Sequence, residues 1–232
     1  MITIRHAQER GAADHGWLTT RHTFSFADYY DPNHMGFRTL RVINEDIVQP
    51  GTGFEMHGHR DMEVVSFLIR GALRHRDSTG TESLLQAGEV QRMTAGVGIR
   101  HSEHNPSATE PTHFLQIWIL PDQKGLPPGY QQQSFPREER RGVFRLIASP
   151  DGADRSLTIH QDTRLYGLIL ESGEEATHPL APGRHAWVQV VSGEVMIQGR
   201  RVSAGDGVAL SQEKEVQAVG CCPAEILLFD LA

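Results

Sequence analysis

The chain has 232 residues, of which 38% are hydrophobic and 22% charged, and its formal net charge is −7. This composition supports a packed core, whereas the acidic balance argues against direct nucleic-acid binding, which needs a basic face to neutralise phosphates. No apolar run approaches the roughly 18 residues of a membrane span, and the N-terminus lacks the apolar stretch of a signal peptide. We therefore expect a cytoplasmic protein without membrane association.

The two cysteines, Cys221 and Cys222, are adjacent and predict no disulfide framework. They are interpreted as small apolar side chains leading into a strand, and a redox-sensing role is the alternative.

Short runs rich in Val, Ile, Leu and aromatic residues recur along the chain, punctuated by Gly, Pro, Asn or Asp. This spacing predicts antiparallel strands in a sandwich or barrel. The polar, proline-bearing segment 121–142 has no strand pattern and is predicted to be a linker. The strand-like runs are 39–48, 63–69, 72–77, 114–120, 142–149, 164–171, 186–193, 194–199 and 224–231.

The two sides of the predicted linker resemble each other. On each side a strand, a glycine-marked turn (Gly71 or Gly193), a second strand and a loop of the type AGE or AGD follow in order. Such repetition indicates a duplicated supersecondary unit. We therefore predict an all-β protein of two tandem barrels, residues 1–120 and 143–232, joined by the linker 121–142.

Two segments of the first half carry a candidate metal site. Residues i and i+2 of a strand point to the same side, so His57 and His59 project together, as do His101 and Glu103. Three neutral imidazoles and one carboxylate suit a divalent transition metal. Glu63 shares the strand parity of His57 and His59, so spacing alone leaves it open as the carboxylate ligand.

The second half lacks a matching pair. His160, His178 and His185 are its histidines, and none forms an i, i+2 pair with another metal-binding residue. We therefore predict a metal in the first barrel only, with the second barrel as a packing partner and lid. A half-site using His178 and His185 is the alternative.

The first segment fits the cupin pattern G-x5-H-x-H-x3-E-x6-G closely, with Gly71 one residue late, and the second fits G-x5-P-x-G-x2-H-x3-N loosely. In the second, Thr94 stands where proline is usual, two extra residues precede His101, and Glu103 lies inside the motif. This departure, with the segments 17–48 and 98–107, resembles pirin and the pirin-like bacterial bicupins over nearly the whole chain. The matching positions are Gly51, His57, His59 and Glu63 in the first motif, and Gly88, Gly96, His101 and Asn105 in the second.

The resemblance implies two jelly-roll cupin barrels and a metal held by His57, His59, His101 and Glu103, with Glu63 outside the first coordination sphere. It also implies a quercetin 2,3-dioxygenase-like activity, in which O2 cleaves a flavonol with release of carbon monoxide. Glu103 would then be both ligand and general base toward the flavonol 3-hydroxyl. Iron(II) is the expected metal, although the same ligands accept Mn, Co, Ni, Cu or Zn.

Three further residues are candidates for the wall of the substrate pocket. Gln116 is the only polar residue of the run 114–120, while Phe54 and Met93 lie just before the H-x-H and on the strand leading to His101. The alternatives are a solvent-facing sheet edge for Gln116 and plain barrel core for Phe54 and Met93.

Two other functions stay open. The resemblance to eukaryotic pirin implies a metal- and redox-sensing regulator that binds a protein partner and consumes no oxygen. A metal-dependent isomerase of small polar substrates would need arginine or lysine inside the barrel, and the predicted interior positions are mostly apolar.

Overall fold

The computed structural model describes all residues, 1–232. Its regular elements are β-strands and three short 3₁₀-helices, Ala7–Glu9, Arg137–Arg140 and Ala153–Arg155. None of these helical segments has the length and apolarity that a membrane-crossing helix needs. The strands are β1 (Ile2–Arg5), β2 (Gly11–Asp14), β3 (Leu18–His22), β4 (Leu40–Val48), β5 (Gly53–His59), β6 (Glu63–Arg70), β7 (Ala72–Asp77), β8 (Glu82–Gln86), β9 (Glu89–Thr94), β10 (Ile99–His104), β11 (Thr112–Ile119), β12 (Gly129–Ser134), β13 (Arg145–Ser149), β14 (Leu157–Thr158), β15 (Thr163–Leu170), β16 (Glu175–Pro179), β17 (His185–Ser192), β18 (Glu194–Ile197), β19 (Arg200–Ser203), β20 (Gly207–Ser211), β21 (Glu215–Gly220) and β22 (Ala224–Leu231).

The chain folds as two compact units. The unit that we call the N-terminal barrel comprises Gly11–Ser134 and Leu157–Gln161. The C-terminal barrel comprises Met1–Arg10, Phe135–Ser156 and Asp162–Ala232.

These bounds differ from the predicted ones at two edge strands. Strand β1 pairs antiparallel with β20, which places the first residues in the C-terminal barrel. Strand β12 pairs with β9 and lies inside the segment predicted as a linker. Its sequence, GYQQQS, lacks an apolar pattern because an edge strand contributes backbone hydrogen bonds without needing a strongly apolar face.

In the N-terminal barrel the larger sheet has the order β12-β9-β6-β11-β4-β3-β2, and the smaller has the order β5-β10-β7-β8. The alternating burial of β3 and β7 shows one face of each strand turned inward. An apolar cluster joins residues from both sheets, including Leu68 and Phe114 with Leu73 and Leu85.

The C-terminal barrel repeats this arrangement. Its strands run in the orders β1-β20-β17-β22-β15-β13 and β16-β21-β18-β19. Each position matches a strand of the N-terminal barrel: β16 corresponds to β5, β21 to β10 and β22 to β11. The predicted duplication into tandem all-β cupin barrels is confirmed.

A row of polar side chains crosses the inner face of the larger N-terminal sheet. The cross-strand register aligns its members one after another on six neighbouring strands, and Phe114 and Leu68, on the same face, belong to the apolar core. A second apolar cluster, built on Val64 and Met93, lies on the other side of the row. We call this set the polar row: His22, Asn44, Gln116, Ser66, Gln91 and Gln132.

Candidate metal centre

Three imidazoles meet where β5 pairs with β10. His57 lies directly opposite His101, and His59 opposite Ile99. The Nε2 atoms of His59 and His101 are 2.9 Å apart. The ring of His57 is centred 4.5 Å from that of His101 and 4.9 Å from that of His59. One ligand nitrogen from each ring lies within 4.8 Å of the other two, so the predicted trio is assembled.

The protonation of these rings favours metal binding. Burial and the neighbouring imidazoles lower the pKa of His59 to about 4 and that of His101 to about 3, so both are neutral at pH 7. His57 donates from Nδ1 to the carbonyl oxygen of Glu55 at 2.7 Å, which leaves its Nε2 lone pair available. Imidazole ligands bind a transition metal at about 2.0–2.1 Å, so nitrogens as close as those of His59 and His101 fit one shared ion.

Glu103 lies two residues beyond His101 and is 1% exposed. A register shift in β10 separates the two residues, and such irregularities re-aim side chains near functional sites. Its carboxylate accepts hydrogen bonds from three members of the polar row: from Gln91 Nε2 at 2.6 Å, Gln116 Nε2 at 2.7 Å and Ser66 Oγ at 3.2 Å. The polar row therefore fixes the position of this carboxylate.

A buried His–Asp pair adjoins the same centre. His75 Nε2 lies 3.0 Å from Asp77 Oδ2, and ligand atoms of His75, His101 and Glu103 all lie within 4.8 Å of one another. Although burial opposes it, hydrogen bonds from Thr79 and His75 lower the pKa of Asp77 to about 2, so Asp77 is ionised. The Nδ1 atoms of His75 and His101 are both buried without a hydrogen-bond partner.

A cavity of about 920 Å³ opens beside the imidazoles. Two edge-to-face aromatic pairs line it: Trp17 with Phe54, centred 5.1 Å apart, and Phe26 with Trp118, centred 5.2 Å apart. Glu103, His57 and His59 also line this cavity. An apolar cavity with a few convergent polar groups is typical of a small-molecule site.

The sequence and the fold were compared with those of known proteins. Residues 3–119 match the family model of pirin, and residues 146–231 match the quercetinase C-terminal cupin domain. The chain belongs to the pirin family.

Relatives within the family match this chain over its whole length. The quercetin 2,3-dioxygenase of Escherichia coli strain K12 is 48% identical, with 100% of this chain and 99% of that protein covered. The pirin-like protein of Caulobacter vibrioides is 41% identical over 100% of both chains. The crystal structure of the bacterial pirin YhhW from Escherichia coli in complex with nickel(II) has a TM-score of 0.95 and 47% identity, covering 100% of this chain and 99% of that one.

In this pirin-family chain, two of the three residues predicted for the pocket wall line the cavity and the third does not. Phe54 and Gln116 line the cavity. Met93 does not: it is 1% exposed and packs with Val64, Ala95 and Ile99, so the core interpretation applies to it. Its strand carries Gln91 two residues earlier, and that side chain, rather than Met93, reaches Glu103.

Glu63 lies apart from the imidazole trio. It is fully buried, with its Oε2 atom 3.4 Å from His160 Nδ1 and 3.9 Å from Arg92 Nε. Glu63 therefore belongs to an ionic cluster with His160 and Arg92.

In the C-terminal barrel the two candidate histidines are engaged separately. His178 Nε2 lies 3.1 Å from Asp230 Oδ2, and His185 Nδ1 lies 2.8 Å from Ser211 Oγ.

His75 and Asp77 are the residues of this centre that sequence reasoning missed. Both lie in the predicted run 72–77 and form an i, i+2 pair of metal-ligand types, the signal that singled out His57 and His59. Only the pairing of β7 with β10, which puts His75 opposite Glu103, shows that this pair faces the same centre.

Proposed function

We propose that this pirin-family protein is a metal-dependent dioxygenase that cleaves flavonols such as quercetin. The observation that carries the proposal is the juxtaposition of three imidazoles and a buried carboxylate with a 920 Å³ cavity walled by aromatic side chains. A relative named quercetin 2,3-dioxygenase, 48% identical over the whole chain, supports the same reaction class.

His57, His59 and His101 would bind one divalent metal through imidazole nitrogen, and Glu103 would complete the set. Iron(II) is the preferred ion, and Mn, Co, Ni, Cu or Zn suit the same donors; nickel(II) is the ion bound in the YhhW complex. When bound, the metal supplies Lewis acidity and open coordination positions for a flavonol oxygen and O2.

Glu103 would act as the general base. Its carboxylate faces the cavity while three donors hold it in place. A flavonol whose 3-hydroxyl lies beside Glu103 would lose that proton to the carboxylate, which generates the electron-rich flavonolate that reacts with O2. The aromatic pairs would hold the flat ring system and exclude water.

The His75–Asp77 pair would orient His101. Because ionised Asp77 accepts the Nε2–H of His75, the Nδ1 atom of His75 keeps a lone pair. That lone pair could accept the Nδ1–H of His101, since both Nδ1 atoms are buried without another partner. His101 Nε2 would then be unprotonated and face His59. Partners of this kind fix the tautomer and orientation of ligating imidazoles.

The direct test is anaerobic reconstitution of the purified protein with iron(II), or with each alternative metal, followed by exposure to O2 and a flavonol. We expect quercetin-dependent oxygen uptake matched by carbon monoxide release. If no metal form consumes oxygen with any flavonol, the dioxygenase proposal is wrong and the metal-sensing regulator becomes the better hypothesis.

A further inference from the structure

The cavity has a second polar wall, away from the imidazoles. It is formed by two cross-strand pairs on β3 and β4, Thr20 with Asp46 and His22 with Asn44, and all four residues line the cavity. Neighbouring strands are about 4.8 Å apart. Asn44 is therefore one strand, and His22 two strands, beyond Gln116, the residue that donates to Glu103.

Asp46 is the unexplained group in this wall. It is 3% exposed and forms no ion pair with lysine or arginine, while the neighbouring carboxylate Glu45, on the other face of β4, pairs with His113 at 3.0 Å. Burial raises the pKa of Asp46 to about 7, opposed by the Thr20 hydroxyl and reinforced by Glu103. A buried carboxyl without a cation destabilises the fold, so packing alone does not account for it.

Asn44 contributes donors at the same wall. Its Oδ1 atom lies 2.8 Å from His22 Nδ1, an arrangement that fixes the amide and leaves its N–H groups available for a ligand. Asp46, two residues along the same face of β4, can donate when protonated and accept when ionised. Together they offer complementary partners for a hydroxyl group, which is itself a donor and an acceptor.

The cavity around this wall is aromatic, with Trp17, Phe26 and Phe54 in its lining. A ligand that suits both the aromatic lining and the polar wall is a flat aromatic molecule with two hydroxyl groups. One hydroxyl would lie beside Glu103 and the other beside Asn44 and Asp46. Hydroxylated flavonols have this character, and the unsubstituted 3-hydroxyflavone lacks the remote hydroxyl.

We propose that Asn44 and Asp46 form a subsite for a phenolic hydroxyl of the substrate, and that this subsite selects hydroxylated flavonols over 3-hydroxyflavone. The inference rests on the proposed function, since it assigns a second wall of the same cavity. A site built to bind a hydroxyl discriminates against the analogue that lacks it, because its buried polar groups are then left unpaired.

The test compares two ligands and two variants. Dissociation constants of quercetin and 3-hydroxyflavone are measured without O2 on the metal-loaded protein. Wild type should bind quercetin more tightly. Asp46→Leu should weaken quercetin binding about 10- to 100-fold, with little change for 3-hydroxyflavone. Asp46→Asn, which keeps the shape of the side chain, should weaken quercetin binding about 3- to 10-fold.

Glu45→Leu is the matched control, because it removes the adjacent carboxylate on the opposite face of β4, and it should leave the ratio of the two dissociation constants unchanged. Equal losses for both ligands in the Asp46 variants, or unchanged quercetin binding, would overturn the subsite alone. Failure of wild type to bind either flavonol would overturn the proposed function and the subsite with it.

Discussion

The two barrels share one strand order and differ in what fills them. Where the N-terminal barrel has the polar row, the corresponding strands of the C-terminal barrel align Tyr166, Leu228, Val188 and Val208, three of them fully buried aliphatic residues. On the strand that corresponds to β10, inward positions carry Val216 and Ala218 in place of ligand types. The same strand order thus accommodates an apolar interior in one barrel, and the polar row together with the imidazole trio in the other.

The two barrels also differ in how much stabilisation they gain from buried apolar surface. On the face that carries Leu228 and Val188, the C-terminal barrel has a single large apolar cluster. On the matching face of the N-terminal barrel, two smaller apolar clusters lie on either side of the polar row. Buried apolar surface stabilises a fold by about 25 cal/mol per Å², so the polar row gives up part of that stabilisation. It keeps in return a buried carboxylate with its hydrogen bonds satisfied.

The largest effect should come from Glu103→Gln. The variant keeps an oxygen donor and the shape of the side chain but loses the basic carboxylate, so turnover per bound metal should fall about 10²- to 10⁴-fold. Raising the pH toward the ionisation of the flavonol itself should recover part of the loss. Glu63→Gln, in its separate ionic cluster, is the control and should cost far less; equal turnover per metal in wild type and Glu103→Gln would remove the base role.

Each barrel contains a buried His–Asp pair, and only one adjoins the imidazole trio. His75→Phe should weaken metal binding about 10- to 100-fold, because His101 would lose the acceptor that we propose for its Nδ1–H. Titration against a chelator of known affinity measures this without any turnover. His178→Phe, which disrupts the pair with Asp230, should leave metal affinity unchanged, and equal effects of the two variants would refute the orienting role of His75.

A polar side chain introduced among Leu228, Val188 and Val208 should destabilise the C-terminal barrel, because no carboxylate lies there to accept its hydrogen bonds. Leu228→Gln should lower the free energy of unfolding by about 3 kcal/mol, from the lost apolar burial and the unpaired amide. Denaturant unfolding would show this as a lower midpoint. Leu228→Met, which conserves volume, should cost less than about 1.5 kcal/mol; similar midpoints for the two variants would show that this position tolerates polarity.

The smallest effect is a pH dependence of the metal-free protein. The pKa values of His59 and His101 are lowered from 6.5 to about 4 and about 3, so between pH 6.5 and 4 these two imidazoles bind more protons in the unfolded chain than in the folded one. The raised pKa of Asp46 opposes them with one group against two. Stability should therefore decrease as the pH falls through this window. His59→Gln should flatten the dependence, and an unchanged slope in that variant would contradict the assignment.

Strand parity was enough to predict the imidazole trio. His57, His59 and His101 needed only the alternation of side chains and the expectation that two glycine-flanked strands face each other. The polar row could not be predicted from the sequence, because it depends on the register among six strands, most of which are not consecutive in sequence. Gln116 alone signalled it, as the one polar residue of the run 114–120.

The errors have the same origin. Met93 and Gln91 share a strand and a face, and parity cannot say which of them lies level with Glu103; the register sets Gln91 opposite Ser66 and Met93 opposite Val64. The predicted linker failed to reveal β12 because edge strands carry weak apolar patterns.

The most direct test of the account is the metal content of reconstituted protein, measured by elemental analysis. We expect one metal per chain in wild type and in His178→Phe, and none in His101→Ala, with the circular dichroism of all three unchanged. Two metals per chain, or one metal retained in His101→Ala, would contradict the claim that the N-terminal barrel alone holds the metal.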